Sequence, residues 1–206
     1  MTTDTSHTAR RETGDERRTA IALAARAIIV EKGLEGLRTR DIAARVGINI
    51  ATLHYHVPTK EALVALVAET IRHDFRIQAL RRPRTGKTAL EQLRMEFEDF
   101  RETMVDMPEL IIILTELVER SRRDEAIAEI MRPLHRFWRD QFAEIFRLGL
   151  EDGSFRPDLD PEAAAMITTG ALSDCWRQST TPLSRLDPLC AELERAFLHH
   201  PSPVQG

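Results

Sequence analysis

The chain has little cysteine, tyrosine or tryptophan: its 206 residues include two Cys, one Tyr and two Trp, and aromatic residues make up 5%. Cys175 and Cys190 are too few for a disulfide framework or a zinc site, and they read as small buried side chains. No stretch reaches the ~18 to 20 uninterrupted apolar residues of a membrane helix. Even Leu110 to Val118 is interrupted by Thr115 and Glu116. Nothing at the N-terminus resembles a secretory leader, so the expected location is the cytoplasm. A glycine-rich phosphate loop is missing, and so is a Ser or Cys nucleophile beside a His in a recognisable motif. His54 and His56 would lie about 200° apart on a helix, unable to share a metal ion. Enzymatic function, a cofactor and a metal site are therefore not expected, and Glu96, Glu98 and Asp99 read as a solvated helix face.

What is present is 42% apolar residues, enough for a real core in one compact unit or two small ones. Apolar positions recur at helical spacing almost throughout, with Gly and Pro confined to junctions, which predicts an all-α protein of about nine helices. The net charge of -4 is unevenly spread. Residues 1–60 carry 10 Lys+Arg against 7 Asp+Glu, a balance of +3, and the remainder 19 against 26, a balance of -7. A basic N-terminal part and an acidic remainder would orient the approach to a polyanion.

The basic part contains the most informative segment, residues 39–63, which reads as two short helices joined by a three-residue turn and followed by a new helix. Thr39 is placed to cap the first helix, Asp41 sits in its positive first turn, and Gly47 supplies a left-handed exit. Asn49 caps a second helix over about Ile50 to His56. Pro58 ends that helix, and Thr59 starts the next at Lys60 and Glu61. Ile42, Ala43, Val46, Ile48, Leu53 and Val57 form the inner faces. Asn49, Ile50, Thr52, His54, Tyr55 and His56 remain outside, a concentration of side chains able to bond phosphate oxygens and base edges in a DNA major groove.

The segment from Gly47-Ile48 to Leu63 resembles the DNA-binding motif of TetR/AcrR-type transcriptional regulators. Ala51-Thr52-Leu53 and Lys60-Glu61-x-Leu63 stand as in that family, while Asn49, His54, Val57 and Thr59 replace its usual Ser, Tyr, Phe and Ser. The family tyrosine commonly reaches phosphate, so either His54 or Tyr55 takes that contact here. The resemblance implies that Thr39, Arg40, Thr52 and Lys60 position the DNA backbone, and that Asn49, Ile50, His54, Tyr55 and His56 divide base and phosphate contacts.

The expected organisation is a flexible N-terminal arm over 1–14, a helix-turn-helix DNA-binding domain over 15–62 with its motif at about 39–57, and a helical effector-binding and dimerisation domain over 63–206. Arg10, Arg11, Arg17 and Arg18 either follow the phosphate backbone or a minor groove, or belong to a solvated tail. The first helix is expected from about Asp15 to Glu31, the fourth from Lys60 to about Leu80, and Arg81–Lys87 as an exposed basic loop. Pro133 is expected to kink a long seventh helix. In TetR-like proteins the helices of the larger domain enclose a small-molecule cavity, which implies that Phe97, Phe100, Met104, Trp138, Phe142 and Trp176 line it. Read without the resemblance, the same stripe is core. The last two helices, at about 161–178 and 183–198, would pair with a second copy and place two recognition helices one DNA turn apart. The implied function is a homodimeric repressor released from a palindromic operator in double-stranded DNA by a small apolar or amphipathic effector. The alternative is a helical small-molecule carrier or protein-interaction module that has lost DNA binding.

Overall fold

In the computed structural model, residues 5–177 and 182–198 are described. They form nine α-helices: α1 (Thr5–Lys32), α2 (Thr39–Val46), α3 (Ile50–His56), α4 (Lys60–Leu80), α5 (Ala89–Asp106), α6 (Pro108–Ser121), α7 (Glu125–Glu151), α8 (Pro161–Arg177) and α9 (Pro182–Phe197). One 3-10 turn, Leu34–Gly36, follows α1, and the only strand-like pairing among the described residues is an isolated bridge between Phe155 and Leu198.

Local chemistry accounts for the helix starts. Thr88 and Glu91 form a reciprocal capping box on α5, the Thr hydroxyl accepting from the Glu91 amide at 3.3 Å and the Glu carboxylate from the Thr88 amide at 2.9 Å. Asp160 Oδ1 accepts from the Ala163 amide at 2.8 Å to open α8, and Thr59 Oγ1 from the Ala62 amide at 3.1 Å to open α4. Pro108 and Pro161 occupy first helical positions, where a missing N–H costs nothing. Pro133 lies inside α7, which nevertheless runs as one element.

α1 begins well before the expected start near Asp15. The stretch anticipated as a flexible arm is helical from Thr5 onward, and its first four residues lie outside the described residues. Arg and Glu dominate residues 9–18 and favour helix, while Gly14 costs only about 1 kcal/mol. The side chains of Arg10 and Arg11 lie outside the described residues.

The chain groups into two compact units. One comprises Met1–Arg76 and Ile112–Arg132, the other Ile77–Ile111 and Pro133–Gly206. In the first, Ile21, Ile28, Ile42, Leu53, Leu63 and Ile71 are fully buried, drawn from the inward stripes of α1 to α4. Ile113 and Leu117 of α6 are buried as well. Ion pairs bind these helices together: Arg26 to Asp74 at 2.7 Å, and Arg45 to Glu31 through two parallel bonds of 2.9 and 2.8 Å.

The second unit is built on aromatic packing. Phe146 meets Phe155 and Phe197 at ring-centroid distances of 5.3 and 4.8 Å. Phe155 occupies the space left by Gly149 of α7, where a Cβ would fall 1.8 Å from its ring. Glu96 and Asp99 are buried rather than solvated, and two arginines of the otherwise exposed 81–87 loop are turned onto them, Arg84 facing Glu96 and Arg82 facing Asp99. A run of basic residues beside an acidic helix face folded back onto it, because neither charge set could be buried alone. Only Glu98 stays exposed as expected.

Candidate nucleic-acid interface

α2 and α3 are separated by Gly47, Ile48 and Asn49. Gly47 adopts φ 72°, ψ 34°, the left-handed conformation that glycine enters without strain, and its N–H reaches the carbonyls of Ala43 and Ala44. Asn49 then caps α3, its Oδ1 accepting from the Thr52 amide at 2.7 Å. The expected cap at Thr39 does not form. Thr39 is already the first helical residue, the cap position belongs to Arg38, whose side chain makes no capping bond, and the Arg38 carbonyl receives the Asp41 and Ile42 amides at 3.1 and 3.2 Å. Asp41 supplies the charge compensation instead, paired with Lys32 at 3.2 Å. That pairing, the largest influence on the group, holds its carboxyl below the usual range.

Leu53 and Val57 anchor α3 inward, which leaves its other face outward. Tyr55 is 82% exposed and Ile50 48% exposed, both on the same short helix. Asn49, His54, Arg40 and Lys60 are also exposed, while Thr39 and Thr52 are half-buried. The Asn49 carbonyl is occupied by capping, so only its amide nitrogen is left to donate outward. His56 differs from the rest of the set. It is half-buried, and burial together with the charges of Arg18 and Arg17 lowers its pKa, leaving the imidazole neutral at pH 7. Its ring meets that of Tyr55 edge-on at 5.2 Å.

Arg18 is the residue whose role the sequence did not disclose. It reads as part of a basic arm, yet its Nη1 donates to the His56 carbonyl at 3.2 Å, at the C-terminus of α3. A guanidinium there satisfies an orphan carbonyl and opposes the negative end of the helix dipole. No local motif announces it, since 38 residues separate the two. Arg17, its neighbour, is exposed on the same helix.

The residues expected around an effector lie in the second unit and fall into two groups. Phe97, Phe100 and Phe142 are buried, whereas Met104, Trp138 and Trp176 are half-buried. Phe100, Trp138 and Trp176 form a trio of nearly parallel rings, with centroids 5.9 to 6.2 Å apart and interplanar angles of 2° to 10°. Such spacing is offset rather than face-to-face. Trp138 also meets Phe142 edge-on at 6.1 Å. Cys175 and Cys190 flank this region, neither of them in a disulfide, and burial pushes the Cys190 thiol up to about 11. Among the described residues no group of His, Cys, Asp and Glu could hold a metal ion, and no helix is long and apolar enough to cross a membrane.

Residues 21–67 match the sequence model described as "Bacterial regulatory proteins, tetR family", and residues 89–174 match that of "BetI-type transcriptional repressor, C-terminal". The chain is 27% identical over 174 residues to the HTH-type transcriptional repressor KstR2 of Mycolicibacterium smegmatis, covering 82% of each protein. Its fold is similar to a TetR transcription regulator from Haloarcula marismortui, with TM-score 0.79 at 19% identity, covering 90% of this chain and 100% of that one. The ketosteroid transcriptional regulator KstR2 of Mycobacterium tuberculosis gives TM-score 0.62 at 21% identity over 89% of this chain and 96% of that one.

Proposed function

We propose that this chain, which belongs to the tetR family and is a DNA-binding transcriptional regulator rather than an enzyme, acts in the cytoplasm as a homodimeric repressor, released from a palindromic operator by a small apolar or amphipathic effector. The observation that carries this reading is the outward face of α3. Ile50, His54 and Tyr55 stand exposed on a short helix fixed at one end by the Asn49 cap and at the other by Arg18. A large phenol and an aliphatic side chain held in water gain nothing unless a partner covers them. A major groove offers thymine methyls to Ile50 and phosphates or base edges to Tyr55, His54 and the Asn49 amide. Arg40 and Lys60, with Thr39 and Thr52 at the helix starts, are assigned to the backbone. His56 contributes from its exposed edge.

The dimer reading is supported by α8. Ala164, Ala165, Thr168 and Thr169 face inward, and Ala163, Met166, Ile167 and Gly170 form an exposed apolar stripe on the opposite side. Met166 and Ile167 are each 57% exposed, and the space beyond Gly170 is open. With α9 alongside, whose Leu183 is also exposed, this face suits a two-fold partner helix pair. Such a dimer spaces its recognition helices about 34 to 36 Å apart for two half-sites. The half-buried faces of Trp138 and Trp176, with Met104 packed against the same cluster from α5, suit an effector that stacks or packs rather than one recognised by charge. Effector binding would hold α4 where the two recognition helices no longer match adjacent grooves.

The experiment is selection of source-genome fragments by the purified protein at two salt concentrations, beside Tyr55→Ala. One palindromic fragment is expected, weakened by salt and bound more weakly by the variant by about 1 to 3 kcal/mol, with the variant's melting temperature unchanged because Tyr55 buries almost nothing. Selection of no fragment by the wild type would favour a carrier or interaction module instead.

A further inference from the structure

The chain leaves α1 through Gly33, whose φ 68°, ψ 174° belongs to a region essentially restricted to glycine. Gly33 stands at the cap position of the 3-10 turn Leu34–Gly36 and has no side chain to offer the first amides of that turn. The Leu34 amide is instead accepted at 3.0 Å by Glu116 Oε2, a carboxylate 82 residues away on α6. A Cβ at Gly33 would approach that oxygen to 3.3 Å, so the corner and the carboxylate fit closely. One turn along α6, Arg120 reaches Glu35 of the same 3-10 turn at 2.6 Å and is steadied by Asp124 at 3.1 Å. Ile113, Leu114 and Leu117 bury the other side of this part of α6. All of these residues belong to the first unit, although α6 begins at Pro108 in the second.

We infer that Glu116, assisted by Arg120, is a positioning residue for DNA binding: a clasp through which the place of α6 fixes the α1–α2 corner, and through which effector-driven movement of α6 reaches the DNA-binding helices. The inference rests on the effector-responsive regulator reading and adds a route to it. An amide hydrogen bond weakens steeply once its geometry is lost, so a displacement of about 1 Å in α6 opens the clasp. Without it the part-buried Leu34 amide at the corner has no acceptor, and α2, separated from the turn only by Leu37 and Arg38, loses its fixed entry. Ordinary packing would not make the corner depend on one oxygen.

The test uses the full chain as wild type, Glu116→Ala, Glu116→Asp and Glu116→Gln, with the DNA fragment that the wild type selects as probe. Glu116→Gln keeps an acceptor oxygen, whereas Glu116→Asp keeps the charge but shortens the reach. Hydrogen exchange over residues 33–38 is expected to rise about tenfold in the Ala and Asp variants and to stay near wild type in Gln. DNA affinity should fall roughly tenfold in the same two, with an unchanged salt slope because no phosphate contact is removed. Coupling is reciprocal, so DNA should slow exchange over residues 112–121 in the wild type and in Gln but not in Ala or Asp. Wild-type exchange over 33–38 in a folded Ala or Asp variant overturns the clasp, and raised exchange with unchanged DNA affinity overturns its role in positioning. A wild type that selects no fragment at all sinks the regulator reading and the communication together, while exchange over 33–38 still decides the clasp by itself.

Discussion

Arg18 of α1 donates from Nη1 to the carbonyl oxygen of His56, the last residue of α3, at 3.2 Å. A helix of seven residues has few internal bonds, so one charged donor at its end matters more than it would on a long helix. Arg18→Ala is expected to weaken operator binding by about 1 to 2 kcal/mol with the salt slope kept, whereas loss of a phosphate contact would lower that slope by about 0.9. The same variant removes the nearest positive charge from His56, whose pKa should then rise toward its ordinary value. His56 is depressed in the folded chain, so its contribution to stability is present above the unfolded value near 6.5 and is lost as the pH falls through the folded one. Titration at several salt concentrations, with the imidazole followed by NMR, checks both parts. A slope that dropped by one charge would make Arg18 a phosphate ligand.

Gly149 and Phe155 make a second dependence. The Phe155 amide bonds to the Gly149 carbonyl at 3.1 Å, and the ring occupies the place of the missing Cβ. An aromatic ring 1% exposed and packed on Phe146 cannot swing aside. Gly149→Ala should therefore cost about 1 to 3 kcal/mol despite the better helix propensity of alanine. In a Phe155→Ala background the same change should cost almost nothing, since the clash is gone. Denaturant unfolding of the four proteins gives the coupling directly, and additive losses would refute it.

The thiols yield a prediction about reactivity. Burial, partly offset by Arg101, raises the Cys190 thiol to about 11, and Cys175 is raised as well, chiefly by burial. Neither thiolate is populated at pH 7.5, so both should react with an aromatic disulfide reagent far more slowly than a free cysteine. Reaction at the free-cysteine rate in the folded protein would contradict the burial.

The helix-turn-helix was legible because each joint is made by neighbours in sequence. Gly47, Asn49, Pro58 and Thr59 act on the residues next to them, so α3 and the start of α4 fall where the punctuation puts them. Thr39 failed as a cap because α2 starts one residue earlier than the pattern suggests, with Arg38 in the extended cap position and Thr39 already inside the first turn. Glu96 and Asp99 were misread for a different reason. Their burial depends on Arg82 and Arg84, which reach them from beyond a helix start, and a charge at helical spacing looks the same whether water or a guanidinium faces it. Arg18 and Glu116 were hidden in the same way, their partners lying 38 and 82 residues off. The aromatic stripe was visible, but its division into buried Phe97 and Phe142 and half-buried Trp138 and Trp176 comes from which helices meet, not from spacing.

Glu96 is the buried charge whose cost can be read from its pH dependence. Its carboxyl is almost wholly removed from water, and that desolvation raises its pKa above 4.5 although Arg84 acts in the opposite sense. A carboxyl raised in the folded state favours the protonated form. The associated stability is present below the unfolded value and is lost as the pH climbs through the folded one. Glu96→Gln keeps the shape without the charge, so it should match wild type near pH 4.5 and become more stable by about 1 kcal/mol at pH 7.5. Removing one partner of a buried pair ordinarily costs several kcal/mol because the other charge is stranded. Here Arg84 retains Asp99 at 3.5 Å and keeps part of its own surface in water, so it is not stranded. Unfolding free energies of the two proteins across this pH range decide between the terms: a gap that widens with pH in favour of Gln supports a desolvated carboxylate, and a Gln variant weaker at pH 7.5 means that the Arg84 pair outweighs the desolvation.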